Sequence, residues 1–215
     1  MEEKLSIADL RKEYSLQTLD IQDVDPNPFK QFEKWLYQAI NSQLLEPTAM
    51  VLSTATPDGK PSARVLLLKG IENDSFIFYT NYQSRKGKEI ASNPHGAITF
   101  YWAELERQVR IEGKISFISE AQSEAYFGSR PRASQIAALA SPQSQKIESR
   151  EDLEKRFEQL REQYQNQEVP KPKEWGGYAL SPTYFEFWQG RPSRLHDRIA
   201  YELIENTWNV YRLAP

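Results

Sequence analysis

The feature that most constrains the fold is a change in the spacing of apolar residues, from a helical period to a period of two. Helical spacing comes first, after Asn27, at Phe29, Phe32, Trp35, Leu36 and Ile40. The pattern predicts a helix that begins at Asn27 and is ended by Pro47. From Ala49 onward, short β-rich runs follow one another and are separated by turn residues, as at residues 56–60.

The later part of the chain is predicted to alternate runs of strands with helices. Strands are expected at residues 49–54, 62–69, 75–79, 95–102, 108–118, 184–188, 198–204 and 208–213. Helices are expected at residues 84–93, 119–127 and 131–140 and from Ser149 onward. This order predicts a mainly β fold with α, an antiparallel barrel with peripheral helices. No glycine-rich turn opens a βαβ unit, which disfavours a Rossmann fold.

Composition excludes several kinds of chemistry. The chain has no cysteine, so disulfides, thiolate nucleophiles, iron–sulfur clusters and cysteine zinc sites are excluded. Its two histidines, His95 and His196, are far apart in the sequence, so no metal site is expected. If the protein is a redox enzyme, a bound cofactor must therefore carry the electrons.

Charge and length set further expectations. The net charge of −3 gives no reason to expect nucleic-acid or membrane partners, so any anion must meet a local cluster of cations. The charged start of the chain and the short apolar runs favour a cytoplasmic location. A chain of 215 residues fits one domain, predicted at residues 27–215 and preceded by a polar segment at residues 1–26.

Two cation clusters are candidate anion sites. Arg64 and Lys69 bracket an apolar strand, and strand alternation would place them on opposite faces, where they would serve two sites. Ser84, Arg85 and Lys86 lie at a helix start, where free N–H groups bind anions. The alternatives are a core strand with charged ends and an exposed basic turn.

Two further clusters lie nearer the end of the sequence. Tyr126, Arg130 and Ser134 surround a helix break and suit a phosphate, although ordinary capping would also explain them. In an extended segment, Arg194, His196 and Arg198 would share one face. A shared anionic or electron-rich ligand explains this second cluster better than a structural role does.

These clusters occur, in order, with other short motifs over most of the chain. The motifs are residues 47–54, 64–70, 78–81 with 84–86, 106–109, 126–132, 143–144, 187–190, 194–198 and 212–215. Together they resemble the pyridoxamine 5'-phosphate oxidase family from about residue 11 to the end. The resemblance implies an FMN-binding split β-barrel with peripheral helices and a homodimer with FMN at the subunit interface.

The resemblance also implies site residues. The implied FMN-binding residues are Arg64, Val65, Leu66, Leu67, Leu68, Lys69, Tyr79, Thr80, Arg85, Lys86, Gln108, Gln143, Ser144, Trp188 and Arg198. The implied substrate-binding residues are Arg11, Lys12, Glu13, Tyr14, Lys69, Tyr126, Arg130, Ser134, Arg194, Leu195 and His196. Arg194 and His196 are the expected catalytic pair, and residues 11–14 match a segment that closes over the substrate.

The implied reaction converts pyridoxamine or pyridoxine 5'-phosphate to pyridoxal 5'-phosphate. A hydride leaves the substrate C4' for the flavin, and oxygen is reduced to hydrogen peroxide. One alternative is a related flavin oxidase of another aromatic substrate, as in phenazine biosynthesis, which should lack the Tyr126, Arg130 and Ser134 set. Another is a non-enzymatic flavin- or haem-binding module, which would have no need of the 194–198 motif.

Overall fold

The computed structural model describes residues 13–215, so the predicted substrate residues Arg11 and Lys12 lie outside the described part of the chain. The helices are α1 (Pro28–Asn41), α2 (Arg85–Ser92), α3 (Glu120–Ser129), α4 (Arg132–Ala140) and α5 (Arg150–Gln163). The strands are β1 (Ala49–Ala55), β2 (Pro61–Leu67), β3 (Gly70–Glu72), β4 (Ser75–Asn81), β5 (His95–Trp102), β6 (Arg107–Phe117), β7 (Trp175–Gln189), β8 (Asp197–Ile204) and β9 (Thr207–Leu213).

Helix ends follow the capping residues that the sequence provides. Helix α1 begins directly after Asn27, as predicted, and the Asn27 side chain accepts hydrogen bonds from two backbone N–H groups at this end. The predicted end at Pro47 is wrong, because α1 ends at Asn41. Ser119 and Gln122 form the predicted capping box of α3. Pro131 separates α3 from α4, since the residue before a proline is disfavoured in helical geometry.

The strands form one sheet with the order β2-β1-β5-β6-β7-β4-β3, and β8 pairs with both β7 and β9. The pairs with a defined register, such as Val51 with Val65 and Trp188 with Arg198, are antiparallel, as predicted. Hydrogen bonding within this sheet brings together residues that are far apart in sequence. It therefore fixes the positions of the candidate site residues.

The predicted strand at residues 62–69 is too long. It ends at Leu67, where the chain changes its pairing partner: the Leu68 N–H bonds to Thr48 O, and the Lys69 N–H bonds to Ile77 O. Because Lys69 lies between β2 and β3, strand alternation does not relate its side chain to that of Arg64. The predicted placement on opposite faces of one strand is wrong.

The chain divides into two compact units, each with its own core. The first comprises Met1–Pro47, Thr99–Ile111 and Tyr184–Pro215, with Phe32 packed 4.9 Å from Phe100 between ring centroids. The second comprises Thr48–Ile98 and Glu112–Thr183. Its buried residues include Leu52, Phe76, Phe78, Ile98 and Tyr178. No described helix is long and apolar enough to cross a bilayer.

Candidate active site

A pocket in the second unit brings together most of the predicted phosphate-binding residues. Its volume is about 380 Å³, and it is lined by Ser62, Ala63, Arg64, Val65, Leu66, Arg85, Lys86, Gln143 and Ser144. These residues come from β2, the first turn of α2 and the segment after α4. The three cations therefore converge on one space although they lie in separate parts of the sequence. We call this space the cation pocket.

A buried carboxylate holds two of these cations. Glu89 lies one turn after Arg85 in α2, and its Oε1 accepts from Arg85 Nε at 2.9 Å. Its Oε2 accepts from the hydroxyls of Thr54 and Ser62, both at 2.5 Å, and lies 3.4 Å from Arg64 Nη2. Burial alone would raise the pKa of Glu89, but these hydrogen bonds lower it to about 2. The carboxylate is ionised and ties α2 to β1 and β2.

The third cation, Lys86, lacks a carboxylate partner among the described residues. Its Nζ donates to Thr80 Oγ1 at 3.0 Å, Ser84 Oγ at 3.3 Å and Gln143 Oε1 at 3.4 Å. Burial and the neighbouring charge of Arg64 lower the pKa of Lys86 to about 8. Three cations and one carboxylate leave two positive charges in the pocket. A phosphate monoester, with a charge of about −1.5 to −2, would balance them.

A second candidate anion-binding position in the same unit lies among aromatic rings. Tyr79 and Tyr126 stack with centroids 3.8 Å apart, and both are nearly parallel to Trp175. The Arg130 guanidinium lies 4.8 Å from the Trp175 centroid, and its buried Nη1 has no hydrogen-bond partner among residues 13–215. Burial lowers the pKa of Arg130. A buried donor without a partner costs about 1–3 kcal/mol, which an anionic ligand would recover.

Ser134, the third residue of this predicted set, lies in α4. Its backbone N–H bonds to Pro131 O at 2.8 Å, which places it in the first turn after the helix break. The exposed side chain of Lys69 lies between β2 and β3. The structure thus brings Tyr126 and Arg130 to the same tryptophan, Trp175, and places Ser134 at the same helical corner.

The first unit contains an aromatic cluster around the predicted catalytic histidine. The His196 and Trp188 ring centroids are 4.7 Å apart, and the Tyr14 ring meets both edge-on at 5.8 and 5.6 Å. His196 Nδ1 accepts from the Arg191 N–H at 3.1 Å. A neutral His196 therefore carries its proton on Nε2, which is available as a donor.

The extended arrangement predicted for residues 194–198 is wrong. Ser193 and Arg194 have φ values of 56° and 62°, in a turn, and β8 begins only at Asp197. Arg194 and Leu195 are exposed in this turn. Arg198 makes a two-bond ion pair with the buried Glu186, at 2.8 and 3.0 Å. Glu186 also pairs with Arg110 Nη2 at 3.1 Å, so this carboxylate offsets only part of the charge of Arg198. Because Arg194 lies in a turn and not in a strand, the strand alternation on which the shared-ligand argument depended does not apply.

The remaining predicted site residues lie in β6, at the end of β2 and at the start of the described chain. Gln108 is half-buried in β6, Leu67 is half-buried at the end of β2, and Leu68 is buried just after it. Glu13 is exposed at the start of the described chain. The sequence reasoning missed three carboxylates, Glu89, Glu106 and Glu186. Of these, only Glu89 had a usable signal, its i, i+4 spacing from Arg85.

Sequence comparison identifies two matching family regions. Residues 36–164 match the family described as pyridoxamine 5'-phosphate oxidase. Residues 175–215 match the family described as the pyridoxine 5'-phosphate oxidase C-terminal dimerisation region. The two matches together span all described helices and strands except the first part of α1.

Individual relatives agree with these matches. A pyridoxine/pyridoxamine 5'-phosphate oxidase from Nostoc sp. (strain PCC 7120) is 54% identical over 98% of this chain and 99% of its own length. The structure of PhzG from Burkholderia lata, in complex with tetrahydrophenazine-1-carboxylic acid, aligns with a TM-score of 0.88 at 30% identity, covering 95% of this chain and 100% of PhzG.

A further solved structure bears on the fold. A pyridoxamine 5'-phosphate oxidase-related, FMN-binding protein from Nostoc punctiforme aligns with a TM-score of 0.72 at 19% identity, covering 89% of this chain and 100% of that protein. The prediction of a split-barrel fold with peripheral helices is confirmed by this likeness. The regional matches and the identity to the Nostoc oxidase show that this chain belongs to the pyridoxamine 5'-phosphate oxidase family.

Proposed function

We propose that this protein is an FMN-dependent oxidase that converts pyridoxamine or pyridoxine 5'-phosphate to pyridoxal 5'-phosphate, with oxygen reduced to hydrogen peroxide. One structural observation carries the proposal. The second unit has two separate positions suited to phosphate groups, the cation pocket and the buried guanidinium of Arg130. An enzyme that binds a phosphorylated cofactor and a phosphorylated substrate needs two such positions.

The family assignment confirms the activity and the FMN cofactor that the sequence resemblance predicted. It also confirms the predicted homodimer, through the dimerisation region at residues 175–215. The cation pocket fits the cofactor, because its two uncompensated positive charges match a terminal phosphate and no dinucleotide fingerprint occurs in the chain. A cytoplasmic location is part of the proposal.

Arg64, Arg85 and Lys86 would hold the FMN phosphate, with Gln143 and Ser144 beside them. Lys86 is the strongest candidate, since the described chain gives it only neutral hydrogen-bond partners. The other proposed FMN contacts are Val65, Leu66, Leu67, Leu68, Lys69, Tyr79, Thr80, Gln108, Trp188 and Arg198. Arg198 uses three of its five N–H bonds on Glu186 and Ala214 O, so two are left for a ligand.

Arg130 would hold the substrate phosphate, with Lys69, Tyr126 and Ser134. Its planar guanidinium provides paired donors, a geometry that matches phosphate oxygens. Arg194, Leu195 and His196 would contact the substrate ring. Residues 11–14 would close over the substrate, and the remainder of the proposed N-terminal segment, to residue 26, would lead to the domain at residues 27–215.

The chemistry that bound FMN supplies is a two-electron oxidation of the substrate carbon, with oxygen as the final acceptor. The protein residues bind and orient. His196 Nε2–H is a hydrogen-bond donor, since Nδ1 is used by the Arg191 N–H. This arrangement favours an orienting role for His196 over one as a general base. Trp188 and the segment that contains Tyr14 would exclude water from the substrate ring.

The PhzG likeness supports a second candidate, an oxidase of a larger aromatic substrate that lacks phosphate. The ligand named with PhzG is a carboxylic acid, whose carboxylate can also pair with a guanidinium, so Arg130 alone does not separate the two candidates. The 54% identity to the Nostoc pyridoxine/pyridoxamine 5'-phosphate oxidase, against 30% to PhzG, favours the phosphorylated substrate. A non-enzymatic flavin- or haem-binding module would have no need of the motif at residues 194–198. The substrate is therefore assigned as phosphorylated.

A direct test uses the purified protein. We expect FMN, not FAD, in a ratio of about one per chain, and hydrogen peroxide release with either pyridoxamine or pyridoxine 5'-phosphate. Mass spectrometry of the released cofactor and a coupled peroxide assay measure these results. FAD as the main species, or no turnover with either substrate in flavin-loaded protein, would contradict the assignment.

Lys86 predicts how FMN affinity depends on pH. Burial lowers the pKa of Lys86 to about 8, so the ammonium is charged at pH 7 and is lost as the pH rises through this value. We expect the FMN dissociation constant to be level below about pH 7, to rise through pH 8 as Lys86 loses its charge, and above that pH to rise by up to about tenfold per pH unit. Fluorescence titration of apoprotein measures it. Lys86→Met should bind FMN more weakly and show no such rise.

A further inference from the structure

A buried glutamate in the first unit connects the N-terminal segment to the aromatic cluster. Glu106 follows a short helical turn, Ala103–Leu105, with its backbone in the left-handed region at a φ of 55°. Its side chain is 3% exposed. Its backbone carbonyl accepts from the Gly190 N–H at 2.7 Å. A non-glycine residue is uncommon in this conformation, and here packing against the end of β7 fixes it.

The Glu106 carboxylate accepts two backbone hydrogen bonds from the N-terminal segment. Its Oε2 lies 2.8 Å from the Ser15 nitrogen and 3.0 Å from the Leu16 nitrogen. Ser15 and Leu16 have exposed side chains and belong to no helix or strand. Charge-assisted bonds of this kind are stronger than those between neutral groups. They fix the backbone immediately after Tyr14.

Gly190, at the end of β7, leaves space for the Tyr14 side chain. A Cβ atom added to Gly190 would lie 2.7 Å from both Cβ and Cγ of Tyr14 and 3.1 Å from the Glu106 Cβ. These separations are too short for non-bonded carbon atoms. Only glycine at this position lets the Tyr14 side chain approach the end of β7 so closely.

Tyr14 is the residue that this arrangement positions. Its ring meets Trp188 and His196 edge-on, and its hydroxyl hydrogen-bonds to Tyr101. Trp188 and His196 are the proposed flavin and substrate contacts in this unit. A shift of Tyr14 would therefore change the wall beside the substrate ring.

We propose that Glu106 is a positioning residue for substrate binding: its carboxylate holds Ser15 and Leu16, and so sets the Tyr14 ring against Trp188 and His196. Gly190 provides the space for this contact. The inference rests on the proposed function, since it assigns His196 and Trp188 to the active site. It predicts an effect on substrate KM, with FMN affinity left unchanged.

The test compares flavin-loaded wild type with Glu106→Gln, Glu106→Ala and Gly190→Ala. We expect KM for pyridoxamine 5'-phosphate to rise about tenfold in Glu106→Ala and Gly190→Ala, with kcat within about twofold of wild type. Glu106→Gln keeps an acceptor but loses the charge, so its KM should lie between. Hydrogen–deuterium exchange at the Ser15 and Leu16 amides should be faster than in wild type in both Glu106 variants, and faster in Glu106→Ala than in Glu106→Gln.

Controls separate positioning from loss of structure. Glu104→Gln makes the same charge change at an exposed position in the same turn, and Gly128→Ala adds a methyl group where no atom lies within 4 Å. Both should keep the wild-type KM and exchange rates. If Glu106→Ala weakens FMN binding and accelerates exchange throughout the protein, its role is structural and the proposal is wrong.

The remaining outcomes are also decisive. A wild-type KM and unchanged exchange in Glu106→Ala, in protein that retains FMN, would overturn the positioning role. If Glu106→Ala does not fold, Gly190→Ala still decides, because it displaces Tyr14 without removing a buried charge. Wild-type protein that holds FMN but oxidises neither substrate contradicts the proposed function instead. The two failures are therefore distinguishable.

Discussion

Arg194→Ala is expected to lower kcat/KM by at least about 10- to 100-fold while the FMN dissociation constant stays near that of wild type. The proposed contact of Arg194 with the substrate is a charged hydrogen bond, worth about 1.5–3 kcal/mol. The side chain is exposed in the turn before β8 and is free to reach a ligand. Steady-state kinetics and flavin titration measure both quantities.

Arg85→Ala should give the reverse result. Arg85 lines the cation pocket and is held by Glu89 at 2.9 Å, so its loss weakens the phosphate site. We expect weaker FMN binding, with activity largely recovered when excess FMN is added. Arg150→Ala is the matched control, because Arg150 is exposed on α5 and its one ion pair within the described chain is with Glu154 in the same helix.

The pair of variants tests the assignment of roles. If Arg194→Ala leaves kcat/KM unchanged, or if its main effect is the release of flavin, the substrate role of Arg194 is contradicted. Arg194→Lys adds a test of geometry, because a planar fork and a point cation are not equivalent. A lysine variant that restores kcat/KM fully would show that charge alone is required.

Local signals predicted most of the fold. The helix start at Asn27, the capping box at Ser119 and the break at Pro131 each depend on neighbouring backbone groups, and all three occur where the sequence predicted them. The alternation of apolar residues predicted the strands in the same way. The short β3 strand and the first part of β7 were missed, because their pairing depends on the Gly70–Ile77 and Asn81–Trp175 contacts across the sheet.

The sequence predicted those features of the candidate site that follow from residue type alone. The sequence identified the cations of the cation pocket as a group, but it did not show that Glu89 offsets one of their charges. It likewise placed Arg198 with Arg194 and His196, although the buried Glu186 pairs with Arg198 across the β7–β8 register. Charge pairing between strands depends on tertiary register, which apolar periodicity does not encode.

Arg130→Met is expected to abolish the preference for a phosphorylated substrate. The buried Arg130 Nη1 has no hydrogen-bond partner in the described part of the chain, and the guanidinium lies against Trp175 and Phe127. Loss of one charged hydrogen bond to the phosphate should lower kcat/KM for pyridoxamine 5'-phosphate by about 10- to 100-fold, and loss of a bidentate contact by more. For pyridoxamine itself, which has no phosphate, kcat/KM should stay within about threefold of wild type.

The structure gives this last prediction a specific control and a stability test. Arg132, at the same helical corner, donates to the carbonyls of Tyr164 and Gln167, so Arg132→Met should lower the melting temperature and leave phosphate preference intact. Arg130→Met should not lower the melting temperature of the apoprotein, because methionine retains the apolar contacts and removes a buried donor for which the described residues provide no acceptor. If Arg130→Met slows both substrates equally, Arg130 does not bind the phosphate, and its contact with Trp175 serves to shape the pocket instead.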